Sequence, residues 1–140
     1  MTALTSFPTA LSVVSLMASP EAASTTGFVA ANGTGVDLED YEGLGLILMN
    51  ISPGTDANET ITFTLEDSAD NSSFAAITAA VGATALATAV AYNAAAALRC
   101  KSAVINVNQA RRYLRVVCAV AGTTPCFTGS ISFAGIKKQR

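Results

Sequence analysis

The sequence predicts an all-β fold, an antiparallel β-sandwich or jelly roll preceded by an extended N-terminal arm. Three observations carry this. Thr60-Ile61-Thr62-Phe63-Thr64-Leu65-Glu66 alternates threonine with large apolar residues, and Arg111–Val120 alternates again, with Leu114, Val116, Cys118 and Val120 on one face. That period of two belongs to a strand with one buried side. Turn-forming clusters recur along the chain, at Asn32-Gly33-Thr34-Gly35, Ser52-Pro53-Gly54-Thr55-Asp56, Asp67–Ser73 and Gly122-Thr123-Thr124-Pro125. No long segment has the apolar spacing of an amphipathic helix.

Each element follows from its residues. Thr26–Ala31 reads as a strand that ends at the glycine-rich turn, and Val36-Asp37-Leu38 leads through Tyr41-Glu42-Gly43 into Leu44–Ile51. The latter is a nearly continuous apolar run, as expected of a strand buried in the interior. Phe74–Thr78 begins another strand. Ala83–Tyr92 alternates alanine with larger residues, which places Leu86, Val90 and Tyr92 on one face. Ala94–Ala97 favours at most a helical turn. Ser102–Val107 and Phe127–Ile136 complete eight or nine strands, the last turning Phe127, Ile131 and Phe133 inward. One domain is expected from the 140 residues. Residues 1–23 form an N-terminal arm, 24–136 the sandwich and 137–140 a basic tail. The arm is expected to be pinned by neighbouring subunits or by the body of the domain.

Composition narrows the function. The chain is 51% hydrophobic and 13% charged, against about 25% charged in ordinary soluble proteins. It is therefore no candidate for disorder. There is no His, so the commonest general base and metal ligand are missing. Neither a phosphate-binding glycine loop nor a GxSxG elbow occurs. Asp67, Asp70 and Asn71 lack the central glycine and final glutamate of a calcium loop. Cys100, Cys118 and Cys126 have no CxxC spacing and read as buried reduced thiols, although Cys118 and Cys126 flank a turn that a bridge would fit. Neither a catalytic residue, a cofactor nor a metal site is expected. The four Asn-X-Ser/Thr triplets follow from the richness in serine and threonine.

The net charge of −2 conceals a division. All ten acidic residues lie between Glu21 and Asp70, all eight basic ones between Arg99 and Arg140, and residues 71–98 carry no charge. This uncharged stretch is long enough to span a membrane, but its alternation and its threonines point to a strand. Leu11–Met17 suggests a signal peptide only superficially, because no Lys or Arg precedes it. Arg111, Arg112 and Arg115 read either as a basic edge strand that discourages aggregation or as a surface that meets acidic loops. A sequence pI of 4.9 argues against nucleic acid. The acidic cluster Asp37, Glu39, Asp40 and Glu42 around Tyr41 is either a docking face or a solvated loop.

Three segments in order carry a resemblance. They are Asn32–Leu38 with Tyr41-Glu42-Gly43, Phe63–Phe74, and Arg111–Val117 followed by Gly122-Thr123. Together they resemble the small β-rich decoration, or cement, proteins of tailed-bacteriophage heads. The likeness covers roughly residues 24–136, and the opening MTALTSF has the look of that group. It implies a jelly-roll-like sandwich, often trimeric, bound to the exterior of the virion capsid where coat subunits meet, and assembled in the cytoplasm of the bacterial host. The partners it implies are the major capsid protein and further copies of the chain, with neither nucleic acid nor membrane involved. The expected partner-binding residues are Phe7, Leu11, Val13 and Leu16 of the arm, and Arg111, Arg112 and Arg115, which would contact acidic loops around Asp40 and Asp67. Two other functions fit the same residues: a tail-tube or tail-tip subunit, and a receptor- or carbohydrate-binding sandwich.

Overall fold

A computed structural model describes residues 11–18, 31–52, 60–82, 90–91, 99–121 and 127–138. They build ten strands: β1 (Leu11–Ala18), β2 (Ala31–Asn32), β3 (Val36–Asp37), β4 (Tyr41–Ile51), β5 (Thr60–Ser68), β6 (Ala75–Ala76), β7 (Val90–Ala91), β8 (Arg99–Asn106), β9 (Tyr113–Ala121) and β10 (Gly129–Lys137). A short 3-10 turn, Val107–Gln109, follows β8, with the Asn106 side chain accepting a hydrogen bond from the Asn108 N–H.

Two antiparallel sheets pack face to face as a β-sandwich. The first has the order β1-β10-β4-β8. In the second, β9 pairs with β5 along nine residues, while β2 and β3 together line the far side of β9. Both β6 and β7 lie on the far side of β5, at its opposite ends. Each sheet thus has four lanes, two of them broken in the second sheet.

Alternation explains the packing. Ile61, Phe63 and Leu65 of β5 and Leu114, Val116 and Cys118 of β9 are buried, while the threonines between them face outward. From the first sheet, Leu16, Ile47, Met49, Ile51, Ile105, Ile131 and Phe133 fill the same core, joined by Leu38, Tyr41, Val81, Val107 and Phe127. Burial of each large side chain stabilises the fold by about 1.5–3 kcal/mol. Phe133 occupies its centre, with the Tyr41 ring edge-on at 5.1 Å. Gly45 and Gly135 make room for it, because a Cβ at either would collide with its ring.

Several expectations are corrected. Leu11–Ala18 is a lane of the first sheet, paired with β10 from Leu11 opposite Ile136 onward. The sandwich therefore begins before residue 24. The apolar run at Leu44–Ile51 is buried on one side alone: Ile47, Met49 and Ile51 point inward, whereas Leu44 and Leu48 are exposed. β9 is interior to its sheet, so Arg115 does not line an open edge, and Arg111 and Arg112 precede the strand. Cys100 is exposed, and Cys100 and Cys118 are both free thiols. Phe74–Thr78 contributes just the two-residue β6. Of the alanine-rich alternation only Val90 and Ala91 lie among the described residues, where they form β7; Tyr92, Ala94–Ala97 and Cys126 lie outside.

Candidate interaction surface

The two outer faces of the sandwich have different chemistry. On the second sheet, Glu66 of β5 lies opposite Arg115 of β9, with Thr64 opposite Val117 and Thr62 opposite Ala119. This is a polar, solvated surface. The outer face of the first sheet is apolar. Its register sets Val13, Ala134, Leu46 and Val104 in one row across all four strands. The next row is Ser15, Ser132, Leu48 and Ser102. Beyond the first row, towards the other end of the sheet, lie Leu11, Ile136 and Leu44.

Among the described residues, the large hydrophobic side chains left exposed are Leu11, Val13, Leu44, Leu48, Val104 and Ile136. All six lie on this one sheet, on its outer side. Val13 and Leu44 are more than 60% exposed. The two central rows hold no charged residue; Glu42 shares the end row with Leu11 and Ile136, and Lys101 lines the groove at the β8 edge. Contiguous exposed apolar patches are the kind of surface on which other molecules dock.

The relief of the face is uneven. Ala134, Ser132 and Ser130 on β10 are small, whereas Leu44, Leu46 and Leu48 on the adjacent β4 form a ridge. A groove of about 500 Å³ is lined by Val13, Leu48, Ser130 and Ser132, and continues past Leu48 to Cys100 and Ser102. The Cys100 thiol sits beside Asn50 at 3.5 Å.

The charged residues form a separate system. Arg111 donates from its backbone N to Asp67 Oδ2 at 3.0 Å and from Nε to Oδ1 at 2.7 Å. Arg112 grips the Asp37 carboxylate with Nε and Nη2, and Nη2 also reaches Glu39. Arg115 donates twice to Glu66 Oε2 while its guanidinium lies 3.9 Å from the centre of the Phe74 ring. The acidic first half of the chain thus pairs with the basic last third inside one subunit. The hydrogen bond from Arg112 lowers the Asp37 pKa and holds the Arg112 guanidinium ever more firmly protonated. Asp70 is lowered further, because the N–H groups of Ser73 and Ser72 and the Ser68 hydroxyl all donate to it. These bonds cap the loop after β5.

The expected partner-binding residues separate accordingly. Leu11 and Val13 belong to the apolar face. Leu16 is corrected to a core residue, 2% exposed, because the alternation that points Leu11, Val13 and Ser15 outward points it inward. Arg111, Arg112 and Arg115 are already paired within the chain, Arg111 with the expected Asp67. Asp40 is exposed in the turn before β4, where its carbonyl accepts the Lys138 N–H. Phe7 lies outside the described residues. Sequence reasoning missed Leu44, Leu46, Leu48, Val104 and Ile136. For Leu44, Leu46 and Leu48 the signal was the apolar run through β4, which is too continuous for a strand covered on one side; Val104 and Ile136, on β8 and β10, had no such signal.

Among the described residues no group of three or more His, Cys, Asp or Glu is placed to hold a metal ion. Among those residues, too, no helix is long and apolar enough to cross a membrane. Comparison with models of protein families, with curated proteins and with solved structures returned no match.

Proposed function

We propose that the chain is a non-enzymatic structural protein of a tailed-phage virion, one that binds the outside of the capsid shell and stabilises it. The observation that carries an assembly role is the largely apolar outer face of the first sheet, whose two central rows hold no charge. β4 is written for burial on both sides, and among the described residues only its inner side is covered. A surface of leucine, valine and serine without aromatic platforms favours a protein partner over a sugar.

The strand order adds support. Counting β2 with β3 and β6 with β7 as single broken lanes gives eight lanes. The chain visits the first sheet, then the second, first, second, second, first, second and first. We read this winding as a jelly roll, the double Greek key that viral capsid and lectin domains share. The placement on a phage capsid rests on the sequence resemblance.

A subunit of this kind acts by mass action: whatever binds the assembled shell and not its parts stabilises the shell. The test is co-sedimentation of the purified chain with expanded capsids. Saturable binding that raises the temperature of shell disruption is expected. Binding that never saturates, or no binding at all, removes the proposal.

A further inference from the structure

We infer that the outer face of the first sheet is covered by a second copy of this chain, packed face to face about a two-fold axis. The inference rests on the assembly reading of that face and is independent of the capsid placement.

The argument is one of self-complementarity. An isologous contact requires a patch that fits itself, each residue meeting its counterpart's partner. The two central strands of the sheet, β10 and β4, are neighbours with opposite relief. β10 presents Ala134, Ser132 and Ser130, and β4 presents Leu46, Leu48 and Asn50 directly opposite them in register. A two-fold axis parallel to the strands, midway between β10 and β4, exchanges these two columns. The leucine ridge of each copy then enters the small-residue groove of the other. Leu48 of one copy meets Ser132 of the second, and Leu46 meets Ala134. The same axis exchanges the outer strands, bringing Val13 of β1 over Val104 of β8. The two central rows contain no charge, and Glu42 and Lys101 lie at the margins of the contact.

Size sets the strength. Four strands about 4.8 Å apart and about seven residues long cover about 450 Å² per copy. That is about 900 Å² in total, below the ~1,200–2,000 Å² of stable complexes, so the dimer is weak, reversible and dependent on concentration. The back-to-back arrangement leaves the polar outer faces of the second sheets pointing away from each other.

Sedimentation velocity of the full chain, from micromolar to sub-millimolar concentration, tests this. A monomer–dimer equilibrium is expected. Leu48→Ser removes a ridge and Ser132→Leu fills a groove, and each alone weakens association about tenfold or more, the effect of losing a buried anchor. Together they move the ridge to β10 and the groove to β4, so the double variant recovers most of the lost association. Leu46→Ala with Ala134→Leu gives a second, independent pair, and circular dichroism of every variant verifies folding.

A chain that stays monomeric overturns the inference, as does a trimer. A dimer indifferent to these substitutions, or single losses that the double variants do not recover, also overturns it. A chain that dimerises as described yet ignores capsids contradicts the capsid placement alone. One that is monomeric yet decorates shells contradicts this inference alone.

Discussion

Arg111 and Asp67, 44 residues apart in sequence, are joined by the backbone N–H and the guanidinium of one residue acting on both carboxylate oxygens of the other. Asp67 is nearly buried at 6% side-chain exposure, while Arg111 keeps 44%. The acceptor therefore matters more than the donor's charge. Asp67→Ala strands a backbone donor and a partly covered guanidinium, and is expected to destabilise the fold by about 2 kcal/mol. Arg112→Ala breaks an exposed, solvent-screened pair and is expected to cost clearly less than Asp67→Ala. Urea unfolding of the two variants checks the order. Equal effects would contradict the ranking.

The carboxylates set the acid limit. Asp37 and Asp70 both lose protons more readily when folded than their ordinary value of 3.8, Asp37 through Arg112 and Asp70 through the N–H groups of Ser73 and Ser72. A proton thus binds the unfolded chain more tightly than the folded one. Their contribution is complete well above pH 3.8 and is lost as pH falls through that value towards the folded pKa. Melting temperature should be flat near neutrality and fall below about pH 4. Asp70→Asn should flatten that acid limb. An unchanged limb would contradict the role of the loop.

The two described thiols differ in reach. Burial pushes the Cys118 thiol up to about 11, whereas Cys100 is exposed on β8. Alkylation of the native chain at pH 8 followed by peptide mapping should label Cys100 quickly. Cys118 should react only on unfolding, since it is the thiolate that reacts. Equal rates would contradict the burial of the inner face of β9 in the core between the sheets.

Phe133 tests the core. A Cβ at Gly135 meets the rings of both Phe133 and Tyr41. Gly135→Ala is expected to destabilise by about 1–3 kcal/mol through overpacking. Phe133→Ala is expected to cost about 3–5 kcal/mol. Thermal denaturation reads both effects, and a stabilising Gly135→Ala would contradict the packing.

Much of the fold was legible from alternation. Ile61, Phe63 and Leu65, then Leu114, Val116 and Cys118, then Ile131 and Phe133 face inward as their period demands. Leu11–Ala18 was harder to place, because Leu-Ser-Val-Val-Ser-Leu-Met is imperfectly periodic. The bulge at Leu16 turns its final residues about, and a bulge has no simple sequence signature. The charge division was visible, but its resolution depended on topology. Only the pairing of β9 with β5 sets Arg115 opposite Glu66 and brings Arg111 beside Asp67. The apolar face was the feature least accessible from sequence. A continuous run such as Leu44–Ile51 signals two covered sides without saying what covers the second. The strand register was needed to align Leu46 with Val13, Ala134 and Val104.

The central claim is that this sandwich is a building part of a virion, carried on the outside of its shell. Imaging the intact particle at a resolution that traces the chain tests it most directly. The account predicts density for the sandwich on the shell exterior, with the outer face of its first sheet covered. The same density in the tail, or a sandwich with that face open to solvent, would contradict it.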